Sequence, residues 1–133
     1  MTDLLKFSIP GKPDYVQMVR LAIASVAAKA DFDMEAIEDI KVSVSEACKN
    51  ITCHGHDSWS TSYEVVCELS ETNIVIRVTD NCGCHDITKG AQQCKCCPED
   101  GNLAIFVIES LMDEASVAED EAGNKCIVMV KNR

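Results

Sequence analysis

Positive charge is what this chain has least of: 12 lysines and arginines stand against 22 aspartates and glutamates, for a formal net charge of −10. Nucleic acid or an anionic membrane needs a basic surface, so neither is expected as the main partner. A basic protein partner, or simple solubility, fits that charge. Aromatics are scarce as well, at 5% of the residues, which leaves the core to aliphatic side chains with alanine and methionine filling gaps. No apolar run approaches the roughly 20 residues that a membrane span requires. The opening MTDLLKFSIPGKP has no basic end followed by an apolar stretch, so it does not read as an export signal. Cysteine is the exception to these scarcities, with nine in the chain. Without an export signal they are expected as reduced thiols in a cytoplasmic protein, where cysteine clusters more often bind metal or do redox work than act as staples.

A chain of 133 residues buries roughly two-thirds of its unfolded surface and needs no disulfide framework. Neither an internal repeat nor a linker divides it, so residues 1–133 read as one domain. Residues 4–9 alternate and stop at Pro10–Gly11–Lys12–Pro13, which predicts a first strand and a turn. Val16, Val19, Ile23, Val26 and Ala27 recur at helical spacing from Pro13 to about Ala30. Asp31 or Asp33 then caps a second helix that runs to about Cys53 or His54 and ends at Gly55. Strands over 61–70 and 73–80 flank Glu71–Thr72 as a hairpin. Residues 81–101 have no usable periodicity, and a loop that long is functional or mobile. A third helix over about 102–113 carries Leu103, Phe106, Val107, Ile108 and Leu111. Strands over 114–120 and 125–131 close the chain around Ala122–Gly123–Asn124. This order implies a two-layer α/β (α+β) sandwich, its sheet antiparallel or mixed and covered on one face by the three helices.

On the second helix, Ile37, Ile40, Val44, Ala47 and Ile51 fall on one face and must pack on the sheet. Glu46, Asn50 and His54 are spaced four apart and form a second row that drifts only about 40° per step. That row borders the apolar face, at the rim of the core, with Ser43 on the same side. An amide oxygen such as that of Asn50 is a hard ligand for Mg²⁺, and a carboxylate such as Glu46 can orient or deprotonate a nucleophile beside it. The same spacing also describes a solvated helix edge.

The segment IEDIKVSVSEACKNITCHGH, the entry FSIPGKPDYVQMVRLAI and the later ESLMDEASV resemble the RsbW-type anti-sigma factors, serine-protein kinases with the GHKL, or histidine-kinase-like, ATPase fold. The likeness spans nearly the whole chain in matching element order, and the family's E-x-x-x-N-x-x-x-H box is met by Glu46, Asn50 and His54. The resemblance implies ATP and Mg²⁺ as cofactors, Glu46 as general base, Asn50 as the residue holding Mg²⁺ on the phosphates, and Asp80 as the adenine-reading aspartate. It implies a sigma factor and an anti-anti-sigma protein as partners, and homodimerisation is common in the family. A turn or capping aspartate is the alternative reading of Asp80.

The family's first glycine box reads D-x-G-x-G, where this chain has Asp80–Asn81–Cys82–Gly83–Cys84. Its second box is met by Gly101, with Asn102, Leu103 and Ala104 following in place of a glycine-rich run. Each added side chain narrows the space for phosphates or forbids a positive φ. Cys82 and Cys84, with Cys94, Cys96 and Cys97, put five thiols within 16 residues, beside His85. Two C-x-C pairs can present four thiolates to zinc or an iron–sulfur centre; free thiols in a lid and a redox pair are the other readings. Cys67 and Cys126 read as small core hydrophobes, and Cys48 and Cys53 as packing along the second helix. Two functions follow from the whole. One is an ATP-dependent serine kinase that sequesters a sigma factor. The other is a binding module of the same fold with little or no catalysis, gated by metal or thiol chemistry in the cysteine-rich lid.

Overall fold

The computed structural model of the chain describes residues 3–10, 13–51, 62–80, 101–119 and 125–133. Strand β1 (Asp3–Pro10) leads through a short 3-10 turn, Pro13–Tyr15, into helices α1 (Val16–Lys29) and α2 (Met34–Ile51). Strands β2 (Ser62–Leu69) and β3 (Asn73–Asp80), helix α3 (Gly101–Leu111), and strands β4 (Glu114–Glu119) and β5 (Lys125–Asn132) follow. The strands form one sheet in the order β1-β2-β3-β5-β4, and every described pairing is antiparallel. Of the two sheet types left open by the element order, the antiparallel one is formed. No described helix is long and apolar enough to cross a membrane.

Strand alternation decides which sheet face the helices cover. Tyr63, Val65 and Cys67 on β2, Ile74, Ile76 and Val78 on β3, and Ile127 and Met129 on β5 are buried, while Glu64, Val66, Val75, Arg77 and Val128 between them are only half-buried. A period of two places each set on its own face. Helix α1 brings Val16, Val19, Ile23 and Ala27 to the core, and α2 brings Ile40, Val44, Ala47 and Cys48, both at the three-and-four spacing of one helical face. Helix α2 packs against α1 on one flank and α3 on the other, and against β3 and β5 beneath it. Burying one such isoleucine or valine contributes about 1.5–3 kcal/mol.

Where expectation and structure part, the cause is local. Pro13 opens a 3-10 turn, and the α-helix starts three residues later. Of the two candidate caps, Asp33 is the one that works: its Oδ1 accepts the Ala36 N–H at 2.8 Å. Asp31 instead terminates α1, in the left-handed region at φ 64°. There the Asp31 N–H donates to Ala28 O at 3.2 Å and the Phe32 N–H to Ala27 O at 3.3 Å, a Schellman closure that buries Phe32 against the helix. Helix α3 ends at Leu111, two residues early, because the Asp113 N–H turns away to Val130 O at 2.9 Å. Ile37 is only half-buried. Phe106, counted among the apolar residues of α3, is 68% exposed. The expectation for the cysteines holds at Cys48, Cys67 and Cys126, all buried. The closing turn at Ala122–Gly123–Asn124, the end of the second helix at Cys53, His54 and Gly55, and the loop over 81–100 lie outside the described residues.

Candidate functional site

The row on α2 is longer than its three sequence members. Asp39, Ser43, Glu46 and Asn50 follow one another at four, three and four residues, so they share one stripe of the helix. The direction of that stripe is set by Asp39, whose Oδ2 lies 3.5 Å from the Lys131 ammonium. The same ammonium donates to the Leu111 carbonyl oxygen at 2.6 Å. The stripe therefore faces α3, and the C-terminal end of α3 lies level with the first half of α2. Helix α3 packs on α2 and runs back along it. From Leu111 to Gly101 the rise is about 15 Å, and from Asp39 to Asn50 about 16.5 Å. The start of α3 thus comes level with the last turns of α2.

A second contact brings the end of β3 to the same place. The buried Cys48 thiol, on the sheet side of α2, stands against the Tyr63 hydroxyl, and Tyr63 is the register partner of Asp80. Glu46, one turn before Asn50 on α2, is half-buried. Asn50 belongs to the last turn of α2, Asp80 closes β3, and Gly101, Asn102, Leu103 and Ala104 form the first turn of α3. One end of the layered fold therefore gathers a half-buried carboxylate, the turn carrying a carboxamide, the end of a central strand and the amide-bearing start of a helix. That combination can receive a base and a chain of phosphates, because free N–H groups and the positive pole of a helix favour anions. His54, Gly83, Cys82, Cys84, Cys94, Cys96 and Cys97 fall outside the described residues.

Burial governs the ionisation of the thiols. Loss of water raises Cys48 from 9.0 to about 12, an effect that the Tyr63 hydroxyl partly offsets. Burial, with some repulsion from Glu68, raises Cys67 to about 11. The Tyr63 hydroxyl is pushed up too, by burial first and then by Cys48. All three stay protonated at neutral pH, so neither thiol is a nucleophile there. Among the described residues no group of three or more His, Cys, Asp or Glu could hold a metal ion. The buried hydroxyls of Ser43 and Tyr63 meet no hydrogen-bonding nitrogen or oxygen among the described residues.

Asp39, Lys131 and Tyr63 were not singled out by the sequence pattern. Asp39 was within reach of it, since extending the Glu46–Asn50 spacing backward arrives at Ser43 and Asp39. Lys131 and Tyr63 have no sequence signal, because their partners lie 92 residues away for Lys131 with Asp39 and on another element for Tyr63.

Comparison with known proteins gives the chain's family and supports its fold. Residues 9–131 match the histidine kinase-like ATPase domain. The chain is 32% identical to the serine-protein kinase RsbW of Listeria monocytogenes serotype 4a (strain HCC23), across 98% of this chain and 88% of that protein. It is 33% identical to the serine-protein kinase RsbW of Bacillus thuringiensis (strain Al Hakam), across 90% of this chain and 79% of that one. Among solved structures, the RsbU and RsbW domains of a Mycobacterium tuberculosis protein superpose with a TM-score of 0.71 at 20% identity, over 98% of this chain and 33% of the longer one. That last likeness speaks for the fold.

Proposed function

The chain belongs to the histidine kinase-like ATPases of the RsbW type, and from that premise we propose that it binds Mg·ATP at the α2–β3–α3 end and phosphorylates a serine of an anti-anti-sigma protein. In the unphosphorylated partner's absence it sequesters a sigma factor. The observation that carries this reading is the convergence of the Glu46 row, the end of β3 and the start of α3 at one end of the fold.

Each residue has a task that its chemistry suits. The Asp80 carboxylate accepts the amino hydrogens of adenine, which selects that base. The N–H groups from Gly101 to Ala104 hold phosphate oxygens at the positive end of α3. The Asn50 carboxamide oxygen is a hard donor for Mg²⁺. When bound, the ion neutralises charge on the phosphates. Glu46 takes the proton from the substrate serine hydroxyl as its oxygen bonds to the γ-phosphorus and the bond to the ADP oxygen breaks. A net charge of −10 suits a basic sigma-factor segment as the sequestered partner.

Calorimetric titration with Mg·ATP tests the reading. Wild-type protein should bind, and Asn50→Ala should lose that binding without loss of fold. No heat at millimolar Mg·ATP would reject a nucleotide site.

A further inference from the structure

A buried hydroxyl without a strong partner costs free energy that a phenylalanine in its place would not. Tyr63 carries such a hydroxyl: the residue is 1% exposed and its oxygen meets no nitrogen or oxygen partner among the described residues. Beside it stands the fully buried Cys48 thiol, a weak donor and a weak acceptor. The position explains what a poor hydrogen bond does not. Tyr63 is the register partner of Asp80, across β2 and β3, and Cys48 lies on α2 between Glu46 and Asn50.

Building on the nucleotide-binding reading, we propose that Tyr63 is a positioning residue: through its hydroxyl against Cys48 it sets the separation between the Glu46–Asn50 turns of α2 and the Asp80 end of β3. Adenine and the phosphates of one nucleotide must be met at the same time from these two elements. An error in their separation is felt in nucleotide affinity more than in folding. The rest of the Tyr63 side chain packs within the core cluster and holds β2 against the helices whether or not the oxygen is present. The oxygen alone is therefore the part that serves the site.

Tyr63→Phe removes that oxygen and nothing else. Calorimetry with Mg·ATP and thermal unfolding of the nucleotide-free protein read the two roles separately. The expected result is a Kd for Mg·ATP raised about three- to tenfold, with a melting temperature equal to or above that of wild type. A purely structural hydroxyl would lower both together, and that result overturns the inference. So does a Tyr63→Phe affinity within about twofold of wild type. Cys48→Ser and Cys48→Ala supply the second arm. Serine keeps a hydrogen-bonding group opposite Tyr63 and should hold affinity near wild type, whereas alanine should match the loss seen in Tyr63→Phe. Equal affinities for the serine and alanine variants count against the pairing. If wild-type protein takes up no Mg·ATP, the nucleotide reading and this inference fall together. If wild type binds and Tyr63→Phe binds equally well, only the inference falls.

Discussion

Lys131 and Leu111 are joined end to side: the Lys131 ammonium, near the close of β5, donates to the last carbonyl oxygen of α3 at 2.6 Å. Asp39 of α2 stands on the other side of the same ammonium at 3.5 Å. One cation thus ties two helices and a strand together at the end of the fold opposite the proposed site, and orients the stripe that carries Glu46.

Removing that cation should be felt in stability. Lys131→Met leaves the Leu111 carbonyl without its charged donor, and hydrogen bonds to charged groups are worth about 1.5–3 kcal/mol. Urea denaturation should show a loss of that size. Asp39→Asn keeps the carbonyl bond and weakens only a part-exposed ion pair, so its loss should stay below about 1 kcal/mol.

Asp31 holds a left-handed conformation at φ 64°, where a side chain is disfavoured. Asp31→Gly should leave stability unchanged or raise it by up to about 1 kcal/mol. Asp31→Val should lower it by about 1–2 kcal/mol, since a β-branched residue tolerates positive φ least. Thermal unfolding of the two variants should shift in these different senses.

The buried thiols make stability fall in alkali. Cys48 rises to about 12 and Cys67 to about 11, both from 9.0, so the folded chain keeps protons that the unfolded chain gives up. Below pH 9 both states are protonated at these groups and the contribution to stability is complete. Above it the unfolded state gains, and stability declines as pH approaches the folded-state values, by at most about 1.4 kcal/mol per pH unit for each group. Melting temperatures from pH 7 to 11 should show little contribution from these groups up to about pH 8.5 and a fall beyond it. Cys48→Ala should make that fall shallower.

Glu46→Gln keeps the size and polarity of the side chain and removes the base. On the proposed function, Mg·ATP binding should stay within a few-fold of wild type. Phosphate transfer to a serine-bearing anti-anti-sigma protein should drop about a hundredfold or more. Calorimetry and a radiolabelled transfer assay separate the two.

Much of this molecule was legible in one dimension. Helical spacing in α1 and α2 and alternation in β2 and β3 follow from each residue's need to hide or show its side chain at a fixed period, and the structure keeps both. The adjacency of Glu46 and Asn50 on one stripe is a property of the helix alone. The family that the sequence resembles is the one whose domain and relatives the chain as a whole matches.

Other features had to wait for the fold. Asp31 and Asp33 are equivalent as caps on paper; the left-handed closure of α1 takes the first and leaves the second to bond Ala36. Phe106 obeys a helical pattern yet faces out, because the faces of α3 are chosen by what α2 and the sheet leave uncovered. Local sequence determined which residues share a face and which turn carries the carboxylate. Which way that face looks was decided by Lys131 reaching both Asp39 and Leu111, and by Tyr63 lying against Cys48 while paired with Asp80. These contacts join residues far apart in the chain, and no local preference encodes a distance that only packing sets.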